Sequence, residues 1–173
     1  MNGFTVRRLD TLTSREFGGL CDVLMDCVEG GASVSFMHPM TLTKAADFWR
    51  GVAASMNRGE RALVVAEDEH GAILGTAQAV WALPENQPHR ADVAKMLVHR
   101  RARRLGVGAA VLRAAEDAAR MAGKTLLVLD TASNDAERLY ARNGWQRVGI
   151  IPEFALMPDG APCATVVYYK RLD

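Results

Sequence analysis

Arg103-Arg104-Leu105-Gly106-Val107-Gly108 is the stretch on which the reading of this chain turns. Before it, Ala91-Asp92-Val93-Ala94-Lys95-Met96-Leu97-Val98 reads as a strand. After it, Val107, Ala110, Val111, Ala114, Ala115, Ala118 and Met121 recur at three- and four-residue steps, the apolar stripe of a helix packed on a sheet. The opposite face carries Arg113, Glu116, Asp117 and Arg120, with Arg113/Asp117 and Glu116/Arg120 at i,i+4 spacing. Glycines and arginines thus sit where a strand gives way to a helix. A helix start offers unpaired backbone N–H groups and the positive end of its dipole, and glycine lets the backbone approach an anion. The stretch is a candidate phosphate cradle.

Two familiar phosphate sites do not fit it. A P-loop needs Gly-Lys-Ser/Thr at the helix start, and Gly108-Ala109-Ala110 is not that. A dinucleotide fingerprint needs a third glycine, and Val111 stands there. What remains is Arg-x-x-Gly-x-Gly, or simply a glycine-rich turn.

Bulk properties narrow the field. A chain of 173 residues suffices for one domain, 1–173, with a real core. Apolar content of 49% and charged content of 24% are ordinary for a soluble globular protein. A net charge of +1 argues against nucleic-acid binding by bulk charge, although Arg100, Arg101, Arg103 and Arg104 cluster locally. No long apolar run predicts a membrane span, and residues 1–8 lack the layout of a signal peptide. Cys21, Cys27 and Cys163 are odd in number and in no C-x-x-C arrangement, so a reducing cytoplasm is the expected setting. His38, His70, His89 and His99 lack ligand spacing, and no metal is expected. Gly31-Ala32-Ser33-Val34-Ser35 is no nucleophile elbow, since the final glycine is missing.

Taken in order, residues 4–9 predict a strand. Thr13 or Ser14 caps a helix through Phe17, Leu20, Cys21, Leu24, Met25 and Val28, which Gly30-Gly31 ends. A loop over 32–39 follows, then a helix from Thr41 or Thr43 to Met56. Residues 61–66 and 72–83 predict an antiparallel pair around a polar turn ending in Gly71. Past the glycine turn and its helix, 125–130 predicts a strand ending in an acid. Ser133 or Asn134 caps another helix, with Glu137 as a capping-box partner of Asn134. Strands over 145–151 and 164–169 follow, connected through 152–160. The expected fold is α/β (α+β), a mixed central sheet of about seven strands flanked by four helices.

This order, together with two motifs, resembles the GNAT acetyltransferases from end to end. One motif is Arg103 to Gly108. The other is Asn134-Asp135-Ala136-Glu137-Arg138-Leu139-Tyr140-Ala141-Arg142-Asn143-Gly144-Trp145, similar to the family's Leu-Tyr-x-x-x-Gly-Phe pattern with Trp145 for the commoner Phe. Within the family the chain most resembles the tabtoxin-resistance branch, through residues 30–37, 90–98, 129–131 and 158–160.

The resemblance implies acetyl-CoA as co-substrate, with no metal. Met96 and Val98 would bind it through backbone groups, and Arg103, Arg104, Leu105, Gly106, Val107, Gly108 and Ala109 would hold its pyrophosphate. Asn134 would bond the pantetheine arm, although a capping role also accounts for it. Arg100 and Arg101 are either a solvated face or a contact for the ribose phosphate. Tyr140 would lie near the thioester sulfur and donate to the departing thiolate; the alternative is a core aromatic with its hydroxyl satisfied locally.

The chemistry also requires a base. An alkyl ammonium of pKa about 10.4 holds almost no free amine at neutral pH, so a carboxylate must take its proton. Asp92 and Asp130 stand where that branch has its proposed catalytic acids, with a longer Glu at the first position. The plain alternatives are that Asp92 pairs with Arg90 or Lys95 and that Asp130 caps a turn. Ser33, Phe36, Gln78, Trp81 and Asn86 are the candidate acceptor-pocket residues. The expected activity is N-acetyl transfer to a primary amine of a small amino-acid-like molecule, a toxin or antibiotic among them. A peptide acceptor and a catalytically silent acetyl-CoA sensor are the alternatives. The expected partners are acetyl-CoA and the amine, with neither nucleic acid nor membrane, in a monomer or homodimer.

Overall fold

The computed structural model describes residues 3–172. In chain order the elements are β1 (Phe4–Leu9), α1 (Ser14–Glu29), α2 (Leu42–Asn57), β2 (Arg61–Asp68), β3 (Ile73–Val80) and β4 (Arg90–Val98). A 3-10 turn over Arg100–Ala102 leads to α3 (Val107–Met121), β5 (Leu126–Thr131), α4 (Asn134–Arg142), β6 (Gln146–Leu156) and β7 (Pro162–Arg171). The seven strands form one mixed sheet, ordered β1-β2-β3-β4-β5-β7-β6, with the four helices packed on it. This is the expected fold. Only β4 and β5 run parallel, and α3 is the crossover that parallel strands require.

Both faces of the sheet are covered, which is why Ala62 to Ala66 is buried without a break. On one face Leu63 and Val65 pack with Leu20, Leu24 and Val28 of α1 and Trp49 and Val52 of α2. On the other, Val64, Ala66 and Ala77 pack with Val107, Val111 and Ala115 of α3. The seat of α3 is set by Gly75. A Cβ there would lie 2.7 Å from Val107 Cγ1 and 2.9 Å from the Leu97 carbonyl oxygen. Absence of that side chain lets the start of α3 press onto β3, beside the end of β4.

Several boundaries depart from the sequence expectation. The third strand ends at Val80 rather than at 83, so Trp81 lies beyond it. β6 continues through Pro152 to Leu156, with a register shift between Ile151 and Ala155 and Glu153 at φ 50, where 152–156 had read as connection. As an edge strand, β6 tolerates the missing proline N–H. The cap of α4 is Ser133, whose Oγ accepts from the Ala136 N–H at 3.3 Å; Asn134 is the first helical residue, and the expected Asn134–Glu137 capping box does not form. Met121 ends α3 exposed rather than in its apolar stripe. Glu116 is not on a solvated face. It is 3% exposed, accepting from Trp145 Nε1 at 2.8 Å and Lys170 Nζ at 2.6 Å, while Arg120 pairs with Asp117. An i,i+4 pattern cannot anticipate a partner that arrives from β7.

Candidate active site

The site begins as a defect in the sheet. β4 and β5 are laddered only over Arg90–Asp92 against Leu126–Val128. Beyond that, β4 stays with β3 as far as Val98 and β5 stays with β7 as far as Thr131, so the two parallel strands part. The edge of β4 facing the gap therefore offers main-chain N–H and C=O groups without a strand partner, Met96 and Val98 among the residues along it. A bulge sharpens the divergence. Between Ala94 and Leu97 two residues, Lys95 and Met96, oppose Ala77 alone, and Lys95 adopts φ 50.

At the end of β4 lies the glycine turn. Arg104 is at φ 63 and Gly106, the residue preceding α3, at φ 86. No side chain caps this helix, so its first N–H groups are left for another acceptor. A Cβ on Gly106 would meet nothing within 4 Å: the turn needs glycine for its left-handed backbone, not for space. At Gly108 the reason is the neighbour, since a Cβ would sit 3.3 Å from Leu139 Cδ2 of α4. The arginines divide. Arg100 is bound by Asp26, through Nε at 2.8 Å and its own N–H at 2.8 Å, and Arg101 reaches toward the Ile73 carbonyl at 3.5 Å. Arg103 and Arg104 are exposed and enter none of the ion pairs among the described residues. An uncapped helix start, a left-handed glycine and two exposed guanidinium groups outside any ion pair among the described residues suit an anion such as a pyrophosphate.

Across the gap stand α4 and the end of β5. Tyr140 is 3% exposed, with ring centroids of Trp145 at 5.9 Å and Tyr168 at 5.8 Å. Its hydroxyl takes no protein partner among the described residues, so local satisfaction does not explain it. Burial pushes its phenol well above the ordinary range, and the charge of Asp130 adds to the effect. Tyr140 therefore stays protonated at neutral pH, as a donor must. Asp130 is exposed and accepts from Thr165 Oγ1 at 2.7 Å through one oxygen. Asp92 differs: Arg90 donates to it and forms an ion pair with it, which was its plain alternative. Asn134 is exposed at the start of α4.

The proposed acceptor residues separate into two groups. Ser33 and Phe36 lie in the loop between α1 and α2. Ser33 Oγ contacts the Leu156 carbonyl at 3.4 Å and Cys163 Sγ at 3.5 Å, and the His38 N–H bonds the Pro158 carbonyl at 2.9 Å. The loop is thereby tied to the turn between β6 and β7. Phe36 packs edge-on against Phe48 at 5.4 Å, and Lys95 Nζ sits 5.7 Å from the Phe48 ring centre. Gln78 is fully buried, on the face of the sheet that carries Leu63 and Val65. Trp81 and Asn86 do not join this group. Trp81 donates Nε1 to the Gly59 carbonyl at 2.6 Å, lies under Lys124 and packs with the cluster of Ala91 and Leu127; Asn86 is exposed in the turn before β4. The sequence reading missed Arg61 and took Lys95 only as a partner for Asp92, which Arg90 engages instead; the charges of Lys95 and Arg61 are both felt at this face. Lysine at an interior position of a predicted strand was the available signal.

Comparisons with known proteins identify the family and the fold. Residues 59–147 match the family model described as an acetyltransferase (GNAT) domain. The chain is 33% identical over 132 residues to an uncharacterised N-acetyltransferase in the hisH-hisA intergenic region of Azospirillum brasilense, covering 75% of this chain and 76% of that protein. The chain belongs to the GNAT acetyltransferase family. Two solved structures show how closely this GNAT fold is shared. An acetyltransferase of Salmonella typhimurium, solved with acetyl-CoA, superimposes with a TM-score of 0.79 at 19% identity, over 99% of this chain and 95% of that one. A GNAT phosphinothricin acetyltransferase of Sinorhizobium meliloti, in complex with acetyl-CoA, gives 0.80 at 18% identity, over 98% and 89%. This GNAT protein is an acetyl-CoA-dependent N-acetyltransferase. Among its described residues no helix is long and apolar enough to cross a membrane.

Proposed function

We propose that this N-acetyltransferase acetylates a primary amine of a small, amino-acid-like molecule, a toxin or antibiotic among them, by direct attack with Asp130 as base and Tyr140 as acid. One observation carries the reading. At the gap between β4 and β5 the buried Tyr140 carries a hydroxyl with no protein partner among the described residues, and burial, with the Asp130 charge adding to it, holds that phenol protonated.

In this reading Met96 and Val98 hold the acetyl donor through main-chain groups beside the gap. Arg103, Arg104 and the turn from Leu105 to Ala109 hold its pyrophosphate, and Asn134 bonds its pantetheine arm. The amine nitrogen attacks the thioester carbonyl, so that a C–N bond forms as the C–S bond breaks. Asp130, directly or through one water, takes the proton that the amine loses, a step typically worth ~10² to 10⁴ in rate. Tyr140 gives a hydrogen bond or its proton to the departing sulfur. Asp92, engaged by Arg90, is not the base in this reading. The tie between the 30–38 loop and the β6–β7 turn supports a small acceptor over a peptide lying in an open groove.

The test is release of CoA from acetyl-CoA with a panel of tabtoxinine-β-lactam, aminoglycosides, polyamines, amino acids and peptides. Turnover of amino-acid-like amines is the expected result. Preference for peptides would replace the reading with protein acetylation. Tight acetyl-CoA binding without turnover of any amine would point to a sensor.

A further inference from the structure

The acceptor-side face contains more hydrogen-bond donors than the protein can satisfy. Among the described residues only two buried side-chain polar atoms have no partner, Gln78 Nε2 and Trp49 Nε1, and both are donors. Gln78 is 0% exposed; its oxygen accepts from Arg61 Nη1 at 2.8 Å, so its NH₂ is the end left open. Arg61 spends Nε on Ser55 Oγ at 2.8 Å and enters none of the ion pairs among the described residues; burial disfavours its charge, and the Glu60 carboxylate, paired with Arg58, opposes that effect. Trp49 packs in the cluster that includes Leu63, the cross-strand partner of Gln78.

Lys95 completes the set. The β4 bulge and its left-handed backbone turn the side chain to this face, where Nζ donates to Ser35 Oγ at 2.8 Å and lies over Phe48. It too has no carboxylate ion-paired to it among the described residues. Burial lowers its ammonium pKa; Asp130 opposes that shift and Arg61 reinforces it. A half-buried cation and the buried Gln78 NH₂ without an acceptor are costly unless a ligand brings the acceptors. The Asp130 charge is felt at Lys95, so the two supply a negative and a positive group to one region, Asp130 from the end of β5 and Lys95 from the β4 bulge.

We propose that the acceptor carries an anionic group, a carboxylate in the first instance, and that Lys95, Arg61 and Gln78 form the subsite that holds it while the amine faces Asp130. The proposal rests on the small-amine reading above and narrows it to zwitterionic amines.

The test separates binding from turnover. Isothermal titration of the protein–CoA complex is run with three pairs: L-phenylalanine and phenethylamine, L-methionine and 3-(methylthio)propylamine, L-lysine and cadaverine. At least one amino acid is expected to bind about 10- to 100-fold more tightly than its decarboxylated partner, the worth of a hydrogen-bonded charge. Lys95→Met should abolish the difference and Lys95→Arg should restore most of it, with acetyl-CoA affinity and thermal melting unchanged in both. Equal binding within every pair, no binding by any amino acid, or a preference that survives Lys95→Met overturns the subsite. Selective binding without CoA release upholds the subsite and overturns the catalytic reading instead.

Discussion

The two ends of the cleft are built from different material. The turn at 103–108 is main chain: Arg104 and Gly106 supply left-handed backbone, and an uncapped α3 supplies N–H groups. The proposed acceptor end is side chain: Ser35 from a loop, Arg61 from β2, Gln78 from β3, Lys95 from β4 and Asp130 from β5. A cradle of peptide groups depends on a few consecutive φ and ψ values, and almost any side chains can flank it. A pocket of side chains can change one residue at a time without disturbing that cradle. Shared use of one acetyl donor across many acceptors follows from this division.

Substitutions at the two ends should have separable effects. The largest effect is expected from Tyr140→Phe, a fall in kcat of about 10² to 10³ with acetyl-CoA affinity unchanged, by steady-state kinetics and titration calorimetry. Because burial raises the phenol pKa, no decline in rate from its ionisation should appear below its ordinary value of about 10. Asp130→Asn should lower kcat/KM by about 10² at neutral pH, and the loss should shrink at alkaline pH, where amines deprotonate unaided. Gly106→Ala tests the main-chain end. With open space at the missing Cβ, only the left-handed backbone opposes it, at about 1–2 kcal/mol, or roughly 5- to 30-fold weaker acetyl-CoA binding. Preference among acceptors should not move; if it does, the two ends are coupled. Asp92→Asn should be mildest, within about 3-fold in kcat/KM, because Arg90 already occupies that carboxylate. An effect equal to that of Asp130→Asn would return Asp92 to the role of base.

Most of the fold was readable because its signals are local. Thr13 with Glu16 forms the capping box of α1, Thr41 caps α2, and the apolar stripe of α3 meets the sheet from Val107 to Ala118. The failures share one cause. Glu116 looked solvated because Trp145 and Lys170 reach it only after β6 and β7 fold back. Trp81 read as a pocket residue because nothing local shows that Gly59 takes its N–H. Lys95 read only as a partner for Asp92 because a bulge is a property of two strands in register, not of one.

The sequence alone determined the order of the elements, the glycine- and arginine-rich turn at 103–108 and the helix carrying Tyr140, since each rests on contacts within a few residues along the chain. Tertiary structure decided which acid is engaged by an arginine, how far β4 and β5 part, and that Lys95, Arg61 and Gln78 share one face. Those outcomes depend on strand register and on packing between distant segments, where a shift of one residue sends a side chain to the other face of the sheet.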